Sequence, residues 1–258
     1  MQIVRAAMLA ALAFAAVPAN AALIHDYTLN HTLADAKGGA AITNNGGALG
    51  ATGITFAANQ GPTLGGFSNF AAYSVEVAFS FDSAPGYRKI LDFKSLASDN
   101  GLNALNQNLN FYPMTTSPSV DFTSGKIANV VLTRDAAGLT FGYVDGVAKI
   151  SFSDTSGLGV FTSAINFLSD DFVTGGREAS SGLVDYVRIY DTALTAAQVA
   201  KLPADGGGTV PEPAAWTLMI AGFGLVGVGL RRRSGAIASA CCAVTASLRT
   251  TSTAAPNS

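Results

Sequence analysis

Side chains able to do covalent chemistry are scarce in this sequence. Histidine occurs only at His25 and His31, and no G-x-S-x-G turn accompanies them, so a serine triad lacks its nucleophile elbow. Zinc needs more nitrogen or sulfur ligands than two histidines provide, and both read as surface residues. The two cysteines, Cys241 and Cys242, are adjacent and near the C-terminus. Everything before them must hold together without a disulfide. Retaining glycosidase chemistry needs two carboxylates about 5 Å apart. Glutamate occurs only at Glu76, Glu178 and Glu212. That reaction is therefore open only to an aspartate pair assembled from distant strands.

Three groups of side chains could bind rather than react. Asp170 and Asp171 precede the turn residues Gly175 and Gly176. Paired carboxylates can hold calcium, although in such a loop they read first as solvated. Asp185 lies in the alternating segment Leu183 to Tyr190. Period-2 alternation puts it on one face with Leu183, Val187 and Ile189, where a carboxylate needs a cation or several donors, unless it sits at a frayed strand start. The stretch from Asn100 to Tyr112 is rich in amides, and Asn106, Gln107, Asn108, Asn110 and Tyr112 could line one face against sugar hydroxyls.

The elements that must position these groups are strands. Tyr73, Val75, Val77, Phe79 and Phe81 alternate with Ser74, Glu76, Ala78 and Ser80, which predicts a half-buried strand. From Ile127 to Phe152 the pattern predicts a three-strand meander, with Asp145-Gly146 supplying the positive-φ pair of a tight hairpin. Further strands are expected at Asp26 to Leu29, Gly53 to Ala57, Arg88 to Phe93, Leu109 to Tyr112, Ile165 to Leu168 and Leu183 to Tyr190. One helix is expected from Ala196 to Leu202, with Thr195 and Gln198 at capping-box spacing and Pro203 at its end. The expected fold is all-β, a two-sheet antiparallel sandwich over residues 22–203.

The ends predict an address. Arg5, the apolar run Ala6 to Val17 and the small residues Ala19 and Ala21 form a Sec-type signal over residues 1–21, cleaved before Ala22. A Gly-rich linker, 204–209, leads to Val210-Pro211-Glu212-Pro213, an apolar run from Ala214 to Leu230, and Arg231, Arg232 and Arg233. The run is long enough for a short transmembrane helix, and the arginines hold its end in the cytoplasm, leaving residues 22–209 outside. Residues 234–258, rich in Ala, Ser and Thr, read as a disordered tail or the product of a shifted reading frame. Between Ala22 and Thr209 ten Lys and Arg stand against sixteen Asp and Glu, a net charge of −6. Such a surface does not attract nucleic acid or anionic lipid.

Pro211-Glu212-Pro213, the apolar run and the arginine cluster resemble the PEP-CTERM sorting signal of proteins exported by Gram-negative, exopolysaccharide-producing bacteria. That resemblance implies the Sec machinery and an exosortase as partners, an inner-membrane intermediate, and a final place on the cell surface or in the matrix. The following residues 234–258 depart from the usual extreme C-terminal position. Ile127 to Gly146 (IANVVLTRDAAGLTFGYVDG) and Gly182 to Leu202 (GLVDYVRIYDTALTAAQVAKL) resemble laminin-G-like, or concanavalin A-like, jelly-roll domains. In laminarinase-type relatives the aspartate of a similar VDYVR strand helps bind a structural calcium, which makes Asp185 a calcium candidate. Those relatives carry catalytic carboxylates as E-x-D-x-x-E on one strand, a pattern absent here. The resemblance therefore implies a non-enzymatic, lectin-like domain that associates with exopolysaccharide. A polysaccharide hydrolase or lyase and a spacer without ligand are the alternatives.

Overall fold

A strand whose alternate residues are large and apolar must bury one face against a second sheet. The structure, a computed structural model, describes residues 21–203, and these form two antiparallel sheets face to face. Ala19, the sorting signal 210–233, Cys241, Cys242 and the tail 234–258 lie outside the described residues.

In chain order the strands are β1 (Leu23–Tyr27), β2 (Ala48–Gly50), β3 (Gly53–Phe56), β4 (Thr63–Gly65), β5 (Tyr73–Phe81), β6 (Tyr87–Asp92) and β7 (Gly101–Leu105). Then follow β8 (Asn108–Tyr112), β9 (Thr115–Thr116), β10 (Ala128–Arg134), β11 (Leu139–Val144), β12 (Val147–Ser153), β13 (Ala164–Phe167), β14 (Gly182–Tyr190) and the helix α1 (Ala196–Val199). One sheet runs β12-β11-β10-β5-β14-β3-β2, with β1 also pairing with β14. The other runs β4-β13-β6-β7-β8-β9. The β10-β11-β12 meander forms as expected, with Asp145 and Gly146 at φ 49° and 77°. Thr195 and Gln198 close a capping box at the start of α1. The first expected strand forms earlier than predicted, at Leu23–Tyr27, because its ladder partner is the end of β14. Strands β2, β4, β7 and β9 carry too little alternation to be read from sequence.

Between the sheets, Val75, Val77, Phe79, Val130, Leu132, Val187 and Ile189 meet Ile90, Leu102, Leu109, Phe111, Ile165 and Phe167 in a single core. Each such side chain, fully buried, contributes roughly 1.5–3 kcal/mol relative to exposure. No disulfide is needed to hold this core together.

The expectation of a half-buried β5 is corrected: all nine of its residues are buried. Its outer face is covered by side chains of neighbouring strands and by the segment leading into α1. Ser74 Oγ donates to the Thr192 carbonyl (2.9 Å) and accepts from the Leu194 N–H (2.7 Å). Glu76 Oε1 accepts from Asn129 Nδ2 (2.9 Å) and the Tyr186 hydroxyl (3.1 Å), and Oε2 from the Tyr190 hydroxyl (3.2 Å). Arg188 stands 3.6 Å from Glu76 Oε2, donates through Nε to Asp26 Oδ1 at 3.2 Å, and lies 4.6 Å over the Tyr186 ring. Burial first, and the Glu76 carboxylate second, push both phenols far above their ordinary range.

Removing Glu76 would take an acceptor from Asn129, Tyr186 and Tyr190 and leave Arg188 buried with less compensation. Glu76→Ala is expected to cost about 3–5 kcal/mol in urea unfolding. A loss below about 1 kcal/mol, the range of an exposed pair, would contradict this assignment.

Candidate functional site

The six-stranded sheet carries its polar side chains on the face turned from the core. Asn166 alternates with the buried Ile165 and Phe167 on β13, and its ladder neighbours are Thr63 on β4 and Asp92 on β6. The Thr63 hydroxyl donates to Asn166 Oδ1 (3.0 Å), and Asn166 Nδ2 donates to Asp92 Oδ1 (3.2 Å). Asp92 Oδ1 also accepts the Leu96 N–H at 2.7 Å, while Oδ2 is buried without a partner. Burial pushes this carboxyl above its ordinary value, against the Leu96 and Asn166 hydrogen bonds.

The segment after β13 is built on the two aspartates noted in the sequence. Neither is solvated, which corrects that expectation: Asp170 and Asp171 are both buried. Asp171 Oδ1 accepts the N–H groups of Val173 (2.8 Å) and Thr174 (3.1 Å), which folds the segment into a tight capped turn. Its Oδ2 pairs with Lys89 Nζ at 3.0 Å, with neither side chain exposed, and Lys89 also donates to the Asp99 carbonyl. Burial alone would raise the Asp171 carboxyl, but the Lys89 bond and the two N–H groups hold it below the ordinary range. Asp170 Oδ2 accepts from the Thr174 hydroxyl (2.7 Å) and the Glu178 N–H (2.9 Å). Asn59 clamps the far side, accepting the Asp170 N–H (3.0 Å) and donating to the Gly176 carbonyl (2.9 Å). Gly176 sits at φ 72°, where a side chain is strained, and a Cβ 2.9 Å from Asn59 Nδ2 would displace that clamp.

The capped turn drives two apolar side chains into solvent, Phe172 at 77% exposure and Val173 at 65%. Between this turn and the β4 edge lies a pocket of about 580 Å³, lined among others by Asn45, Asn59, Thr63, Asn166, Asp170 and Phe172. Its volume falls within the usual span of small-ligand sites. Asp170 lines it with a buried carboxyl, whose Oδ1 is closed to solvent and has no partner in the protein.

The remaining candidates lie elsewhere. Asp185 does not share a face with Val187 and Ile189: the register of β14 on β5 shifts between Val184 and Tyr186, which makes Asp185 the extra residue of a bulge. Val184 faces the core before the bulge, and Val187 and Ile189 face it afterwards. Asp185 is half-buried, its carboxyl raised by burial, and the charged group acting on it is Arg188. The described residues contain no group of three His, Cys, Asp or Glu side chains able to hold a metal.

The amide-rich stretch divides. Asn106 and Gln107 form the β7-β8 turn at φ 48° and 73°, whereas Asn108, Asn110 and Tyr112 follow on β8. Asn108 Nδ2 donates to the Ser117 carbonyl and Asn110 Nδ2 to the Thr115 carbonyl, so both secure the neighbouring segment. Tyr112 remains exposed and meets Tyr87 edge-on at 6.3 Å. Of the two histidines, His31 is exposed but His25 is half-buried, with Nδ1 2.7 Å from the buried Asp35.

A family model for the concanavalin A-like lectin/glucanases superfamily matches residues 50–200, more than half of the 258-residue chain. The chain belongs to this superfamily. A second model, the PEP-CTERM protein-sorting motif, matches residues 209–233 and marks the protein as exported and processed by an exosortase. Among solved structures, domain 4 of AbnA, a GH43 extracellular arabinanase from Geobacillus stearothermophilus in complex with arabinotriose, is 21% identical with a TM-score of 0.53, over 70% of this chain and 97% of that one. The Trypanosoma rangeli sialidase is 18% identical with a TM-score of 0.55, but the match spans only 32% of the sialidase chain. These likenesses establish the two-sheet fold. No curated protein matches the chain.

Superfamily membership allows binding and hydrolysis alike, so the site has to discriminate. Asp170 is the ionisable side chain lining the pocket, and one of its oxygens is committed to Thr174 and Glu178. Two-carboxylate hydrolysis here would need a second acid facing it.

The sign of the Asp171 shift gives a test. Its carboxyl is depressed on folding, so the stability it supplies is present above the ordinary value of 3.8 and is lost as pH falls through the lowered folded value. Asp171→Asn, which leaves Lys89 buried without its counterion, should cost about 3–5 kcal/mol at pH 7. The gap to the parent protein should narrow as urea unfolding is repeated below pH 4, and a gap independent of pH would contradict the pairing.

Proposed function

We propose that this exported protein is a non-enzymatic, lectin-like component of the cell surface or extracellular matrix, whose sandwich domain associates with the exopolysaccharide of the producing cell. The observation that carries this reading is the pocket beside β4. It combines an exposed phenyl ring with amides held in place by hydrogen bonds to the protein and one buried carboxylate. Aromatic faces meet the apolar faces of sugars, and fixed amides and carboxylates meet their hydroxyls. The arabinanase domain of similar fold, solved with arabinotriose, supports a saccharide-binding role for such a sandwich. The export signal would bring the domain into contact with secreted polysaccharide.

Phe172 and Val173 stand exposed on the capped turn, which makes an apolar face available beside the pocket. The hydrolase or lyase alternative is separated by product. The exported chain, incubated with the producing cell's exopolysaccharide, is expected to be retained on it without releasing reducing ends. Release would revive the hydrolase, and neither retention nor release would leave a spacer.

A further inference from the structure

The hydrogen-bond balance of the pocket decides more than whether a saccharide binds. Each amide around it directs at least one donor to the protein. Asn59 Nδ2 is directed to the Gly176 carbonyl, and Asn45 Nδ2 to the Gly61 carbonyl and the Thr63 hydroxyl. The Thr63 hydroxyl is committed to Asn166 Oδ1, and Asn166 Nδ2 to Asp92 Oδ1. What stays unpartnered is acceptor oxygen: Asp170 Oδ1 at the pocket, and Asp92 Oδ2 behind Asn166. The nearest buried cation, Lys89, is taken by Asp171 and the Asp99 carbonyl, and neither Lys nor Arg lines the pocket.

A carboxylate at a pocket whose lining holds no Lys or Arg asks for a ligand without negative charge. Resting on the saccharide-binding reading above, we propose that the pocket selects uncharged or amino sugar units and rejects uronates, with Phe172 as the stacking face and Asp170 as the charge filter. An ammonium group of the sugar would be drawn by the charge of the Asp170 carboxylate beneath the pocket. A uronate carboxylate would approach the Asp170 carboxylate with no Lys or Arg side chain in the lining to offset the repulsion. The −6 net charge of the exported domain acts in the same direction but is spread over the whole surface. Substitution at Asp170 separates the two contributions.

The test measures affinity of the exported chain at 150 mM salt for three soluble oligosaccharide sets: neutral glucan, chitosan and alginate oligomers. Binding is expected in the order chitosan at or above glucan, with alginate at least tenfold weaker. Phe172→Ala, at an exposed position, should weaken glucan and chitosan binding at least tenfold without changing the melting temperature. Asp170→Asn should lower the chitosan-to-alginate preference at least fivefold. Asp145→Asn, which removes an equal charge on the opposite sheet, should leave that preference unchanged. Should Asp170→Asn fail to fold, the wild-type order and Phe172→Ala still decide. Alginate binding as tight as glucan, or equal effects of the Asp145 and Asp170 variants, would overturn the charge filter while leaving saccharide binding intact. Binding to none of the three sets and none to the producer's own polysaccharide would overturn both.

Discussion

The buried pair between Lys89 and Asp171 joins β6 to a segment 82 residues further along the chain, and the geometry of the pocket depends on that join. Without Lys89 the Asp171 carboxylate would be an uncompensated charge inside the protein. Asp171 also supplies the acceptor that caps the Val173 and Thr174 N–H groups. The turn that exposes Phe172 and places Asp170 over the β4-β13 edge is thus fixed by one ion pair and its hydrogen bonds. Asn59 holds the opposite side of the same turn. A site on a loop gains precision only when such supports immobilise it, and here the supports come from both neighbouring segments.

Buried ion pairs recur through this fold. Arg134 Nε meets Asp154 Oδ2 at 2.8 Å with both side chains nearly inaccessible, and Arg188 lies between Glu76 and Asp26. Each pair carries a desolvation penalty that a well-packed apolar pair would avoid, so their contribution to net stability is small. Their effect here is on geometry. Arg134 and Asp154 join the start of the β10-β11 turn to the segment after β12, and Glu76 gathers β14 and Asn129 of β10 over the outer face of β5. In a domain without disulfides these contacts fix how segments distant in sequence meet, while the apolar core supplies the driving force.

What could be read from the sequence followed from short-range periodicity. The β5 alternation, the Asp145-Gly146 hairpin and the Thr195 capping box each depend on residues within a few positions of one another, and each forms in the structure. The errors arose where long-range partners decide. Strict alternation puts Asp185 with Val187 and Ile189, and one inserted residue at the bulge reverses the parity. Asp170 and Asp171 look solvated in sequence because the groups that bury them, Lys89 on the Asp171 carboxylate and Asn59 on the Asp170 N–H, lie 82 and 111 positions away. Phe172 carried a weak signal, a lone aromatic between an acidic pair and a Gly-Gly turn. Nothing in its immediate neighbours shows that the turn would leave it exposed beside a pocket.

The central claim is that the pocket between the Asp171-capped turn and the β4 edge is where the domain meets saccharide. The most direct test is an amide chemical-shift titration of the isotope-labelled exported chain with oligosaccharides cut from the producing cell's own polysaccharide. The account predicts shifts concentrated at Asn59, Asn166, Asp170, Phe172 and Gly176, saturating together along one binding curve. Saturable shifts centred elsewhere, for instance around Tyr87 and Tyr112 or along β12, would contradict it.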